Sequence, residues 1–391
     1  MSSVRDAKLE GKRVLLRVDF NVPMDKEGDI IDDTKIRAAL PTIEYILGRN
    51  ASIILMSHLG RPQGKPDEKY SLKKLAVHLS RLLNKPVAMA PDCIGEETEK
   101  MADSMQPGSL MLLENLRFHN GEEQNDPEFA SKLAKLGDIY VNDAFGTAHR
   151  AHASTAGLAA YLPAYAGFLM ENEVNILNQV LDAPDCPRMA IMGGAKVADK
   201  LGLIDNMLDK MDILLIGGGM ANTFLKAIGK KIGKSMCEDD LLNEALRLLQ
   251  KAQEKKRRVL LPVDAVVAEE ISNMVQPQVV SVDAVPDDMM ILDIGPQTVE
   301  IFKNEIMKAH TIVWNGPMGV YEYDAFAEGT RQITLAIAQS KAVSVIGGGD
   351  SAVAAHDMGL EKQITHISTG GGATLEFLEG LKLPGVAACG L

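Results

Sequence analysis

No stretch of this 391-residue chain approaches the unbroken apolar length of a membrane-spanning helix, and the first residues, MSSVRDAKLEGKR, hold no apolar signal core. A cytoplasmic protein is expected. An excess of positive charge is also missing. The net charge of −12 argues against nucleic acid or an anionic membrane as partner, since both select basic surfaces. Cysteine is scarce: Cys93, Cys186, Cys237 and Cys389 are scattered without a Cys-x-x-Cys spacing, so neither a zinc framework nor a disulfide framework is indicated and buried thiols are expected. There is no Gly/Ser-rich linker, low-complexity tract or short-period repeat. The phosphate-binding pattern GxxxxGK[ST] does not occur either.

What is present is a contrast between two halves. In the first, apolar β-type runs end in charged or imidazole-bearing stretches: RVLLRVDFN (13 to 21), SIILMSHLGR (52 to 61), LMLLENLR (110 to 117) and IYVNDAF (139 to 145). In the second they end in glycines: MAIMGGAK (189 to 196), ILLIGGGM (213 to 220), TIVWNGPMG (311 to 319), VSVIGGGD (343 to 350) and HISTGGG (366 to 372). Helical patterns alternate with these runs, which predicts an α/β fold with mainly parallel sheets and crossover helices. Ligands of such sheets bind beyond the carboxyl ends of the strands, so the endings are where a site would be built. The chain is long enough for two or three domains, each with its own core.

Thr34 is expected to cap a helix with the stripe Ile36, Leu40, Ile43 and Leu47, closed by Gly48, with Arg37 in its first turn. A second helix should start at Ser71, a third at Asp126-Pro127, and a fourth at the glycines of 193 and 194, with another over 241–256. The small-residue, apolar run at 156–170 leads into an amphipathic stretch stopped by Pro184 and Pro187, which reads as a connecting helix.

Each polar ending has a bland reading beside a functional one. Asp19 and Asn21 before Pro23 suit an Asx turn as well as a ligand site. His58 and Arg61 flank a glycine turn, and Arg117 or Arg150 could be surface arginines paired with Glu122 or Glu123. Yet five strand-end or early-helix cations, Arg37, His58, Arg61, Arg117 and Arg150, converge on one place if the sheet is parallel. Guanidinium forks suit carboxylate and phosphate, so a compact polyanion is the expected ligand. In the second half, bare amides at glycine turns and helix N-termini suit phosphate. Lys196 and Lys200, four residues apart at the start of a helix, would be electrostatically misplaced without an anion there. Asp350, after three glycines, could hold Mg²⁺ against phosphates or cap its helix.

The segments RVDFNVP, SHLGRP, ENLRF, FGTAHRAHAST, GGAKVADK, GGGMANTFL, WNGPMGVYE, GGGDSA and STGGGATLEFLEG, in this order along the chain, resemble the phosphoglycerate kinase family. The resemblance implies two Rossmann-like three-layer domains joined by a helical hinge. These are residues 1–165 with 376–391 for phosphoglycerate, 166–185 as connecting helix, and 186–375 for the nucleotide, the tail from Pro384 folding back onto the first domain. It implies reversible phosphoryl transfer from 1,3-bisphosphoglycerate to ADP, giving 3-phosphoglycerate and ATP in glycolysis or gluconeogenesis, by in-line attack in a closed two-domain cleft. It further implies that Asp19, Asn21, Arg37, His58, Arg61, Arg117 and Arg150 hold the glycerate. Lys200, Asn315, Glu322, Gly348, Gly349, Asp350 and Ser351 would contact the nucleotide or its Mg²⁺, with Asp350 as metal ligand. Arg37, Lys196 and Lys200 are expected to neutralise the group in flight, in a monomer that binds neither nucleic acid nor membrane. The sequence departs from the family pattern at Asn172 and loosely over 234–240.

Two other classes remain open from the residues alone. A kinase with a hydroxyl acceptor would share the layout but need a positioned base. A noncatalytic anion-binding protein is the other.

Overall fold

The computed structural model describes residues 2–390, which form two compact units. In the first, which runs through Val174 and takes in the tail from Lys382, the strands are β1 (Arg13–Arg17), β2 (Ser52–Met56), β3 (Val87–Met89), β4 (Leu110–Leu112), β5 (Ile139–Asn142) and β6 (Ala164–Ala166). They pair in parallel in the order β3-β4-β2-β1-β5-β6. Because side chains alternate across a sheet, successive residues of β1 and β2 feed different cores. Val14, Leu16, Ile53 and Leu55 join the Thr34–Leu47 and Lys73–Leu83 helices on one face. Leu15, Ile54 and Met56 join Phe129 and Leu133 of the Pro127–Ala134 helix on the other. Burial on both faces is why these strands read as continuous apolar runs.

The second unit, Asn175–Leu381, carries β7 (Arg188–Met192), β8 (Ile213–Ile216), β9 (Arg258–Leu260), β10 (Asp264–Ala268), β11 (Gln278–Ser281), β12 (Met290–Ile294), β13 (Thr311–Asn315), β14 (Val343–Gly347) and β15 (His366–Ile367). Six of these form a parallel sheet in the order β15-β14-β13-β7-β8-β9. The remaining three make an antiparallel sheet, β11-β10-β12, that the pattern of strand endings does not announce. Its strands do not end in glycine clusters, so a reading keyed to those endings passes over them.

The expected helices are mostly in place. Asp126 caps the Pro127 helix by accepting from Glu128 N and Phe129 N at 3.2 and 3.3 Å. The Thr34–Leu47 helix buries Ile36, Ala39, Ile43 and Ile46, one step round from the expected stripe, with Leu40 and Leu47 only partly covered. A helix over Phe168–Leu181 lies within the segment expected to connect the domains, and the two units divide inside it, after Val174. The return to the first unit comes at Lys382, later than residue 376. The helix Gly372–Leu378 packs on the Leu201–Lys210 helix of the second unit, where Asn206 Nδ2 donates to Leu378 O at 2.5 Å. In the tail, Gly385 N donates to Ala148 O at 2.8 Å.

Two buried carboxylates fasten helices to sheets. Asp143, just past β5, accepts from Leu169 N at 2.8 Å and Met170 N at 3.2 Å, holding the start of the Phe168–Leu181 helix. Burial raises it to about 6. Asp293 in β12 accepts from Ile294 N at 2.9 Å and Gly329 N at 2.7 Å, seating the helix Glu328–Gln339, and burial raises it to about 7. A carboxyl whose folded-state pKa is raised contributes stability below its unfolded value, here 3.8, that is lost as pH climbs through about 7. Asp293→Asn should therefore flatten the fall in stability from mildly acid to neutral pH. The slope removed is at most about 1.4 kcal/mol per pH unit. Calorimetric melts of both proteins across that range check it, and parallel pH profiles would refute it.

Candidate active site

Both parallel sheets reverse direction of growth at their centre. In the first unit the chain builds outward from β1 through β2 on one side, then resumes at β5 on the other; in the second it builds from β7 through β8, then resumes at β13. At such a switch point neighbouring loops leave in opposite directions and open a crevice.

In the first unit a cavity of about 200 Å³ lies there, lined by Asp19 and Asn21 after β1, His58, Gly60 and Arg61 after β2, Arg117 after β4, and Thr147, His149 and Arg150 after β5. Lys35 completes it. Lys35, Arg61, Arg117 and Arg150 face a single lining carboxylate, so the cavity is locally cationic within an acidic protein. The loops are tied to one another by polar contacts. Asn21 Oδ1 accepts from Gly60 N at 2.9 Å, Arg117 Nη1 donates to Gly60 O at 2.9 Å, and Asp19 pairs with Lys35 Nζ at 2.8 Å. Asp19 also accepts from Asn21 N at 3.1 Å, so the Asx turn and the site lining are both realised.

Arg37 does not line the cavity; its side chain is 59 % exposed and pairs with Asp33 at 2.8 Å. The helix begins at Thr34 and buries Ile36, so the residue before Ile36 is turned to the strand ends and the residue after it to solvent. Lys35 is the first-turn cation of the site, and a search for guanidinium groups passes over it.

Arg17 belongs to the site as well, although it lies inside a strand rather than beyond its end. It is 1 % exposed, donates from Nε to Ser154 Oγ at 2.8 Å and lies 3.1 Å from His58 Nδ1. Ser154 in turn donates from Oγ and N to the buried Glu122 carboxylate at 2.5 and 3.0 Å. Burial pushes Glu122 up, against the opposing pull of Arg17 and Ser154. Burial, and then Arg17 and Arg117, hold His58 well below the ordinary imidazole range. His152, beside Glu122, falls to about 4 through burial and the same arginines. These two histidines are thus neutral at pH 7 and add no positive charge beside the guanidinium and ammonium groups.

In the second unit the loops after β7 and β13 pack backbone on backbone. Gly193 N donates to Asn315 O and Gly194 N to Pro317 O, each at 2.9 Å. A Cβ on Gly193 would stand 2.1 Å from Pro317 O, and one on Gly316, where φ is +92°, 2.3 Å from Gly193 O. These glycines, and Gly218, serve close approach of the chain. By contrast Gly349 and Gly371 have nothing within 4 Å of an added Cβ, and Gly348 adopts φ +97° at the start of the helix Gly349–Asp357. The open amides therefore lie at the β14 and β15 ends.

Lys200 sits in this floor, its Nζ donating to Gly193 O at 2.5 Å and Asn315 O at 3.3 Å, and burial lowers it to about 8. Asn315 Nδ2 donates to Gly347 O at 2.6 Å and Ser351 Oγ accepts from Gly316 N at 2.8 Å, so both brace the loops. Asp350 and Glu322 are exposed. The expected pairing of Lys196 and Lys200 on one helical face does not occur. The regular helix starts only at Leu201, and Lys196 stands exposed in the preceding loop.

Replacing Arg17 with methionine should destabilise the first unit by about 1–3 kcal/mol, because Ser154 and Glu122 would lose the buried cation behind them. Urea unfolding checks this, and Arg17→Met with Glu122→Gln together should recover part of the loss.

The family model described as Phosphoglycerate kinase matches residues 4–381. The chain is 56% identical over 385 residues to a phosphoglycerate kinase of Dictyoglomus turgidum, covering 98% of this chain and 97% of that one. It is 55% identical over 386 residues to one of Herpetosiphon aurantiacus, covering 99% and 98%. The solved structure of phosphoglycerate kinase from Coxiella burnetii superposes with a TM-score of 0.92 at 45% identity over 99% of this chain and 98% of that one. That of Pyrococcus horikoshii gives 0.84 at 36% identity over 100% and 98%. With cationic and glycine-lined switch points in its two parallel sheets and these relatives along its length, the chain belongs to the phosphoglycerate kinase family.

Proposed function

We infer that the chain transfers a phosphoryl group reversibly from 1,3-bisphosphoglycerate to ADP, giving 3-phosphoglycerate and ATP, the kinase step of glycolysis. The observation that carries this reading is the cationic cavity of about 200 Å³, sized for a three-carbon phosphorylated acid. Its chemistry also separates a carboxyl acceptor from a hydroxyl one. A hydroxyl needs a base, whereas a carboxylate is already ionised at pH 7. The lining carboxylate, Asp19, is occupied by Lys35 and Asn21 N, His58 and His152 are buried, and His149 Nε2 accepts from Arg150 Nε at 3.2 Å. What remains is positioning and charge neutralisation, which is what phosphoryl transfer chiefly requires.

In this reading Arg61, Arg117 and Arg150, with His58, Asp19 and Asn21, hold the glycerate, and Lys35 takes the role expected of Arg37. ADP and ATP are the co-substrates. Their phosphates meet the open amides of Gly348 and Gly349, with Lys200, Lys196, Asn315, Glu322 and Ser351 around them. Asp350 fits Mg²⁺, since its exposed carboxylate stands beside Gly349, where nothing crowds the backbone. The ion when bound would neutralise phosphate charge. Lys200, lowered to about 8, regains a full charge when a phosphate arrives beside it. The enzyme is read as a cytoplasmic monomer.

The direct test is ATP formation from 1,3-bisphosphoglycerate and ADP, with and without Mg²⁺. Phosphorylation of glycerate or sugar phosphates at rates equal to 3-phosphoglycerate would sink the reading. Lys35→Ala should lower kcat/KM by about 10²- to 10³-fold, the usual effect of removing a donor to the transition state. Arg37→Ala should stay within about twofold, as for a surface substitution; the reverse order would restore Arg37. Transfer also calls for the acceptor and donor to be brought together and water excluded. Small-angle scattering should therefore show greater compaction with both ligands than with either alone, and identical profiles would count against closure.

A further inference from the structure

Away from both switch points, the loop after β3 and the turn after β4 bring Asp92, Cys93 and His119 together, with one ligand-competent atom of each within 4.8 Å of the others. The arrangement is held by more than proximity. Asp92 Oδ1 lies 2.8 Å from His119 Nε2 and accepts from Cys93 N at 2.6 Å. The His119 ring is set by Phe129, its centroid 5.5 Å away and tilted by 32°. Cys93 is fully buried among Ala90, Ala102 and Leu116, whereas the Asp92 and His119 side chains are 42% and 30% exposed. One face of the trio is thus closed by the core and the other faces solvent.

We propose that Asp92, Cys93 and His119 form a binding site for a thiophilic divalent cation of the zinc class. A thiolate, an imidazole and a carboxylate are the donor set of four-coordinate zinc with water in the fourth position. Hard cations such as Mg²⁺ prefer oxygen and would leave the sulfur unused. On binding, the Cys93 thiol gives up its proton to solvent, the metal takes the His119 nitrogen that faces Asp92, and the single proton of the neutral imidazole sits on the other ring nitrogen. Two anionic ligands and one dication leave the site neutral. Burial and the Asp92 carboxylate push the free thiol well up, so the group is an inert thiol until a cation arrives. Affinity should therefore fall steeply as pH drops.

The site has a structural consequence. It would clamp the β3 loop to the turn that carries Arg117, two residues before His119. Sequence spacing could not disclose it, because the adjacent Asp92 and Cys93 meet His119 from a different strand end.

The test is cobalt titration of the full chain, stripped with chelator and kept reduced. One equivalent should produce a thiolate-to-cobalt charge-transfer band in the near ultraviolet together with intense visible bands of a four-coordinate ion. Equimolar Zn²⁺ should bleach both, and Mg²⁺ should not. Cys93→Ser should abolish the charge-transfer band. His119→Gln, at a partly exposed position, should weaken cobalt binding at least about tenfold. No charge-transfer band in the unsubstituted protein would overturn the proposal. So would a band that survives Cys93→Ser but is lost in Cys237→Ser, or one that Zn²⁺ fails to bleach.

Discussion

Gathering positive charge at the end of a buried parallel sheet is the constraint on which the first unit turns. A guanidinium removed from water is costly unless anions and hydrogen-bond acceptors surround it. Arg17 meets that demand by reaching inward, through Ser154 to the wholly buried Glu122. The arrangement fixes His58 from behind, while the outer cations, Lys35, Arg61, Arg117 and Arg150, face the cavity with Asp19 on Lys35 and Glu123 on Arg117 as their carboxylate partners. On the proposed reading, a compact anion bound among them relieves their mutual repulsion. The acidity of the protein as a whole makes the contrast sharper.

The second unit meets the opposite problem with the opposite material. It needs donors without bulk, so it uses main-chain amides. Two kinds of glycine do separate jobs there. Those after β7, β8 and β13 let three loops touch, while Gly349 and Gly371 stand with open space around them. Lys200 is wedged between carbonyls of the first set. Buried but close to Asp350, it is the one cation of the floor whose protonation is sensitive to its surroundings.

Much of this is legible in the chain, for a definable reason. Strands buried on both faces announce themselves as unbroken apolar runs, and the residues just past each run are those that stand at the crevice; hence Asp19, Asn21, His58, Arg61, Arg117 and Arg150 emerge together. Helical phase is harder to read. Arg37 and Lys35 differ by two positions, which is more than half a turn, and only the burial of Ile36 decides which faces inward. Lys196 illustrates the same difficulty, since glycines that open a loop postpone the helix by several residues. The internal braces, Arg17 through Ser154 to Glu122 and Asp293 with Gly329, join positions far apart in sequence and carry no local signature. The antiparallel sheet of β10, β11 and β12 escapes for lack of a glycine ending.

The close contact among Gly193, Gly218 and Gly316 bears on how this fold can change. A floor built largely of peptide planes offers few side chains to exchange beyond Lys200 and Asn315, and an added methyl group at Gly193 or Gly316 would collide with another carbonyl oxygen. Selectivity there cannot drift by single substitutions in the way an aliphatic pocket drifts. Innovation is confined to the rim, at exposed positions such as Lys196, Glu322 and Asp350, while the floor itself is frozen by geometry.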